Sequence, residues 1–359
     1  MAMQVYSSPA QRIGKLKGRI LKHWAPMIVL GKVGVKDDFD RNKGDTVIYR
    51  RWLPKGSTTA SPNTWQATET GDRVAAYANA HLADEGVTPA AETLTPQDIT
   101  ATLQQYVVLF GYTDKTADLY EDDVPAEMTE QVGERLALVQ ELVLYGQLKG
   151  CTNKFYGGTG TSRVTVNGKI TLSLLRKITR SLDANHCKKV TKMVMPTQGF
   201  GSTSVEPGYP VFIHTDLKPD IRDLPLFKPY SDYGKTDASE TGEFGKCEEF
   251  RFFASPELAA IQGESGVTAA VTTAGCENLQ SVGGSYIDVY QVIVGSREAW
   301  GHIGLKGSSE VKVIDVPPNK TDKADPVGQR GYIGAKVWYN AVILNNLQMA
   351  CVEVGTSSL

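Results

Sequence analysis

The sequence predicts an α+β fold with extensions that cannot bury themselves. Strand-like and helix-like stretches follow one another without strict alternation or segregation, the order expected of a mixed architecture. Residues 117–148 carry an apolar stripe at helical period. Residues 45–112 hold two β-runs separated by a long polar stretch, which compact domains avoid unless the loop serves something outside them.

Composition sets the frame for these elements. Of 359 residues, 41% are hydrophobic and 22% charged, which is globular and sufficient for a sizeable core. Lys and Arg number 38 against 40 Asp and Glu, and a formal net charge of -2 argues against a dedicated nucleic-acid binder. No apolar run approaches the roughly 18 residues of a bilayer span, so no membrane partner is expected. The first residues lack the basic start and apolar core of a signal peptide, and the protein is expected to begin its work in the cytoplasm.

The first element is a basic strip. Residues 1–36 carry Arg12, Lys15, Lys17, Arg19, Lys22, Lys32 and Lys36 and no acidic residue, a charge of +7. Gly14, Gly18, Pro26, Gly31 and Gly34 interrupt any long helix, so the strip reads as an arm that must lie on something else. Residues 45–53 form a strand rich in branched and aromatic residues. A second strand covers 99–112. The pair is marginal alone in water, so we expect it to rest on another domain or subunit through Trp52, Trp65 and Tyr77, aromatics of the type enriched at interfaces.

Val124, Met128, Val132, Leu136, Val139 and Val143 make the helical stripe, with Pro125 near the start. The first turns of this helix are acidic, and carboxylates there suit the macrodipole. Glu127, Glu130 and Glu134 are the expected seat of the basic arm, whether from the same or a neighbouring subunit. Downstream, residues 156–162 form a Gly/Thr/Ser-rich turn read as a linker between subdomains. Thr171 to Asn185 makes an amphipathic helix, and residues 190–195 and 210–214 make strands. Thr215 or Asp216 is the expected N-cap of a short helix. Further strands are expected at 249–254 and 286–295, with loop from 255 to 285. The run 332–344, closed by Asn345-Asn346 and followed by 347–354, reads as a terminal hairpin.

No catalytic, cofactor or metal residues are assigned. Cys151, Cys187, Cys247, Cys276 and Cys351 are odd in number and widely spaced, which suits free thiols. Gly157-Gly158-Thr159-Gly160 fails as a phosphate loop, because Gly168-Lys169 is followed by Ile170. Asp37, Asp38 and Asp40 read as solvated charge. The one enzyme alternative is a site assembled from His214, Asp216 and Asp220.

Several stretches, in order, resemble one family. Asp84-Glu85-Gly86-Val87-Thr88-Pro89 with Thr93-Leu94 and Ile99-Thr100-Ala101-Thr102 is similar to the extended loop of tailed-phage major capsid proteins, in the subgroup typified by short-tailed phages. Gly133-Glu134-Arg135 and Leu142, running to Gly157-Gly158, resemble its spine helix and exit. Ile178 to Asn185 and Val211-Phe212-Ile213-His214-Thr215-Asp216 resemble its later helix and strand–helix junction. Asp325-Pro326-Val327-Gly328-Gln329-Arg330-Gly331, Gly334 and Ala341-Val342-Ile343-Leu344-Asn345 form the most specific match. The departures lie at 57–80 and 255–285.

The resemblance implies the Hong Kong 97-type capsid fold. It assigns 1–40 to an N-terminal arm, 41–113 to the extended loop, and 114–170 to a peripheral domain with the spine helix. Residues 171–325 become the axial domain and 326–359 closing peripheral-domain strands. It further implies a virion capsid protein, assembled in the host cytoplasm, that forms hexamers and pentamers of an icosahedral shell around double-stranded DNA without sequence-specific binding. Scaffold, portal and decoration proteins are the partner classes, with any scaffold expected as a separate protein. The alternatives are another virion part, such as a tail tube or decoration protein, and the enzyme.

Overall fold

The computed structural model describes residues 28–53, 81–83, 85–88, 91, 93–120, 123–190, 206–233, 242–268, 279–306, 312–321 and 325–358. The expected loop tip at 57–80 and the strand beyond Val190 lie outside them. The elements are β1 (Val35–Phe39), β2 (Thr46–Leu53), β3 (Thr95–Thr102), β4 (Gln104–Thr113), α1 (Asp114–Leu119), α2 (Val124–Leu148), β5 (Lys154–Tyr156), α3 (Leu172–Ala184) and β6 (Tyr209–His214). They continue with α4 (Lys218–Arg222), β7 (Phe227–Pro229), β8 (Glu243–Cys247), β9 (Phe250–Ser255), β10 (Tyr290–Gly295), β11 (Trp300–Leu305), β12 (Lys312–Val316), β13 (Arg330–Ile343) and β14 (Met349–Val354). The α+β class holds.

Two sheets carry the fold. The seven-stranded sheet runs β5-β14-β10-β6-β9-β8-β7. Its central strands are buried on both faces, which explains their unbroken apolar runs. Alternate residues divide between two cores as the pleat requires. Val211, Ile213, Val292, Val294 and Val352 meet Leu174, Leu175, Ile178 and Leu182 of α3. Phe212, Phe253, Ile293 and Cys351 face the other way, toward Leu144, Tyr145 and Leu148 of α2. In the five-stranded sheet β4 runs along one edge of β13, while β12 and β11 lie along the other and β1 adds in parallel to β11. Tyr112, Ile333, Ala335 and Val337 of this sheet pack on Val132 and Leu136 of α2.

α2 is therefore a spine between two cores. Its 25 residues span roughly 37 Å at 1.5 Å each. The expected stripe is correct through Leu136. Beyond it, Glu141, Leu144, Tyr145 and Leu148 are buried, while Val139 and Val143 are only half-buried. A stripe at spacing four drifts around a helix of 3.6 residues per turn, and the second core meets α2 on a different side. The expected start at 117 also changes. Pro125 is admissible only in a first turn, so the chain makes the short α1, breaks, and restarts with the Asp123 carboxylate accepting from the Ala126 amide at 3.2 Å.

Three further expectations are corrected. The 99–112 strand divides at Leu103, whose buried side chain and amide bond to the Asp45 carbonyl let β3 pair with β2 and β4 with β13. Residues 332–354 do not form a hairpin. β13 and β14 lie in different sheets, and residues 344–348 carry the chain between them. The N-cap after β6 is His214, whose Nδ1 accepts from the Asp216 amide at 3.2 Å.

Candidate assembly surfaces

The β2–β3 ribbon has one supported and one open face. Register places Val47 opposite Ala101 and Tyr49 opposite Ile99. Ala101, Val47 and Tyr49 pack with Leu103, Ile303, Trp338 and Val342, so the ribbon's root rests on the five-stranded sheet of its own chain. The opposite face presents Ile48, Arg50 and Trp52 beside Thr100, Asp98 and Pro96. Ile48 and Trp52 are each 59% exposed, although burying such side chains is worth about 1.5–3 kcal/mol apiece. Arg50 grips Asp98 through two contacts of 2.7 and 2.8 Å, which fixes register but adds little stability at the surface.

A second open surface is the outer face of the five-stranded sheet. Val107 and Leu109 of β4 stand 61% and 51% exposed. Leu109 lies opposite Gly334, which in turn pairs with Ile314, also exposed. Lys312 and Lys336 flank this strip. Contiguous apolar exposure rimmed by charge marks interaction sites. On α2, Glu127 and Glu134 are half-buried and Glu130 is exposed. Their expected partners Arg12, Lys15, Lys17, Arg19 and Lys22 lie outside the described residues, as do Trp65 and Tyr77. Of the aromatics expected at contacts, Trp52 is the one whose position is described.

Where the arm joins the fold, the expected coreless strip acquires a core. Val29, Leu30 and Val33 are buried. The Val33 carbonyl accepts from Trp300 Nε1 at 3.0 Å and from His302 Nε2 at 2.8 Å. His302 Nδ1 then accepts from the Tyr339 hydroxyl at 2.9 Å. Burial, with Lys36 assisting and the Val33 carbonyl opposing, holds this imidazole below its ordinary pKa. Gly34, at φ +109, lets the chain turn against the Trp300 indole where a Cβ would collide. From α2, Glu141 Oε1 accepts from the Val29 and Leu30 amides at 3.1 and 2.8 Å. Burial pushes the Glu141 carboxyl up against these amides.

The remaining polar clusters are structural locks. Glu353, fully buried on β14, accepts from Arg163 Nη2 at 2.7 Å and Gln291 Nε2 at 2.9 Å, with Lys154 at 3.5 Å. Burial opposes its charge, but Arg163, Gln291 and Lys154 outweigh that and keep the carboxyl below its usual range. The glycine-rich turn is no linker. Asn167 bonds the Thr159 amide and hydroxyl at 2.9 and 2.8 Å, and Gly158, at φ +73, lies against Asn167 and Gly168. His214 and Asp216 do meet, at 3.1 Å. Asp216 is held by the Tyr290 hydroxyl at 2.7 Å, while Asp220 takes Thr356 Oγ1 and the Ser357 amide, each at 2.8 Å. Burial opposes the Asp220 charge, and Ser357, Thr356 and Lys169 overcome it, so the carboxyl stays low. These residues cap a turn and pin the chain's last segment.

Burial pushes the Cys187 and Cys351 thiols up to about 12 and Cys247 to about 11, the reverse of what a nucleophile needs. Among the described residues there is no group of three or more side chains that could hold a metal, and no helix is long and apolar enough to cross a membrane.

Comparison with solved structures decides the fold. A chain of the capsid of Ralstonia phage GP4 superposes with a TM-score of 0.58 over 98% of this chain and 99% of its own, at 11% identity. The capsid asymmetric unit of cyanophage Pam1 gives 0.59 over 97% of both chains at 11% identity. The capsid of cyanophage P-SCSP1u gives 0.55 over 96% and 93% at 12% identity. This is a tailed-phage capsid fold, the Hong Kong 97-type α+β architecture. A protein named major capsid protein, from Pseudomonas phage KPP21, is 23% identical over 269 residues, which are 70% of this chain and 66% of that relative's length. No family model matches the sequence.

Sequence reasoning missed Ile48, Leu109 and Ile314, because alternation marks them as ordinary strand residues and only the sheet shows their face to be open. Glu353 and Glu141 had a usable signal. Each interrupts an apolar run, and a charge in such a run is buried only when paired.

Proposed function

We propose that this chain is a major capsid protein that self-assembles into the icosahedral shell of a tailed phage and encloses its double-stranded DNA. The observation that carries this is likeness to capsid chains over 98% and 97% of this chain. The curated relative named major capsid protein agrees with it. The residues supply the means of assembly. The open face of the β2–β3 ribbon and the outer strip of Val107, Leu109 and Ile314 are two apolar surfaces on one subunit. Heterologous contacts between such surfaces generate rings, and repeated modest interfaces in closed symmetry give a stable shell. Hexamers and pentamers are the rings this reading requires.

The five-segment division belongs to this proposal, with 1–40 as arm, 41–113 as extended loop, 171–325 as axial domain, and 114–170 with 326–359 as peripheral domain. The near-balanced charge suits a container, since phosphate contacts add and a strongly basic lining would grip its cargo. Scaffold, portal and decoration proteins are the partner classes that this role calls for, in the virion and its precursor in the host cytoplasm. Catalysis is no part of the role. The His214–Asp216–Asp220 cluster is occupied by Tyr290, Thr356 and Ser357.

The test is sedimentation of the purified chain against a double variant, Ile48→Asp with Trp52→Asp. The wild type should sediment as large closed particles. The variant should keep the subunit's circular dichroism and remain small. A wild type that never exceeds a small oligomer, alone or expressed with the proteins encoded beside it, would contradict the proposal.

A further inference from the structure

The outer face of the five-stranded sheet carries charge that one subunit leaves unanswered. Lys312 of β12 lies directly opposite Lys336 of β13, and Lys336 lies opposite Val107 of β4. Side chains directly opposite in antiparallel strands share a face, and like charges so placed destabilise the pair. Both lysines are exposed, and among the described residues neither has an ion-pair partner. The next row on this face is Leu109, Gly334 and Ile314, and the row after it Gly111, Tyr332 and Val316, so no carboxylate stands among them. Asp315, the acidic residue of β12, lies on the opposite side with Ile333, which packs on α2. Lysines on an edge strand deter edge-to-edge pairing, but that does not account for Lys336, whose strand has neighbours on both sides.

The complement lies at the far end of the same sheet. β4 ends at Thr113, and the chain turns into α1, whose Asp114 amide donates to the Gln329 carbonyl at 3.0 Å. Asp118 and Leu119 of α1 and Asp123 before α2 are exposed, Leu119 by 62%. Val327, two residues before Gln329, is 72% exposed. Residues 114–123 carry five carboxylates against Lys115, and Arg330, opposite Thr113, still leaves this corner acidic. Seven residues separate Val107 from Asp114, about 24 Å of strand, so the corner does not reach the lysines of its own subunit. A neighbour's corner can, and complementary patches at two ends of one body make a head-to-tail contact. The open face of the ribbon is a poorer match, because its carboxylate, Asp98, is already gripped by Arg50. We propose that the strip around Lys312 and Lys336 docks the acidic corner of a second copy of this chain, with Leu119 of that copy against Leu109 and Ile314 and its Asp118 on the lysines. The inference rests on the assembly reading and deepens it, because it names which two surfaces of adjacent subunits meet.

The experiment is zero-length carbodiimide coupling of the full chain, in whatever oligomer it forms alone or expressed with the proteins encoded beside it, followed by mass spectrometry. An amide link from Lys312 or Lys336 to Asp118 or Asp123 is expected. Within one subunit these groups are too far apart for a coupling that inserts no spacer, so the link itself reports two copies. Lysines coupled only to Asp98 of the ribbon, to a different protein or to no carboxylate overturn the proposal. A charge swap gives the second readout. Lys312→Glu with Lys336→Glu should lower the amount of sedimenting oligomer at least tenfold, because it sets like charges against each other. The subunit's circular dichroism should not change, since both lysines are exposed. Adding Asp118→Lys to the same chain should recover most of the oligomer. A swapped chain as defective as the lysine variant also overturns the proposal. The shell reading fails separately: small oligomers that carry the link would keep this contact and contradict the shell, and closed particles without the link would do the reverse.

Discussion

At the scale of single residues, the fold hangs on a few buried charges. Glu353 is the clearest. With no exposed surface and Arg163, Lys154 and Gln291 gathered on it, Glu353→Gln leaves two cations without their counter-charge. Removing one partner of such a pair costs about 2–3 kcal/mol when the other ions are partly solvated, and a urea titration of unassembled subunits should show it. The pH dependence follows in sign. Glu353 and Asp220 both have carboxyls held below their ordinary values of 4.5 and 3.8. The unfolded chain binds more protons than the folded one as pH falls below those values. Their stabilisation is therefore complete above about pH 5 and is lost as acid titrates each folded carboxyl. In Glu353→Gln the acid limb of stability against pH should be shallower. An unchanged limb would place the acid sensitivity elsewhere.

At the scale of elements, the arm and the spine helix carry the sharpest expectations. Removing residues 1–36 would take Leu30 and Val33 out of the core and the first two residues out of β1. Deleting residues 1–27 is the cleaner test. It should leave a soluble subunit with unchanged near-ultraviolet circular dichroism and no stable particles by sedimentation. Normal particles from that deletion would count against an assembly role for the arm. Reversing Glu127, Glu130 and Glu134 to Lys should weaken assembly and leave the fold, since none of the three is fully buried. Unchanged particle yield would remove the arm from this face of α2.

The same scale shows what the sequence could reveal. Helix α3 was legible to within a residue, because Leu175, Ile178 and Leu182 keep one face and Thr171 caps it. The first strand of the ribbon was legible from its branched and aromatic residues, and the second only in part, because the 99–112 run conceals the break at Leu103. The break before α2 was legible in principle from Pro125. The false hairpin was not. Residues 349–354 are buried on both faces, and such a strand does not declare which neighbour it joins. Its place between β10 and β5 is set by long-range pairing that local pattern does not encode. The open faces at Ile48, Leu109 and Ile314 were illegible for a related reason, since exposure belongs to the assembled sheet and not to the strand.

At the scale of the molecule, the features fit one account. Two sheets share one spine helix, so the subunit can be firm while its ribbon projects. Apolar surface is left open on the ribbon and on the five-stranded sheet, and a monomer gains nothing from keeping it. The central claim is that such subunits close into a shell. Negative-stain electron microscopy, on the chain expressed alone and together with the proteins encoded beside it, tests that claim most directly. The account predicts closed polyhedral particles built of ring-shaped capsomers in at least one of the two samples. Discrete small oligomers or open tubes in both would contradict it.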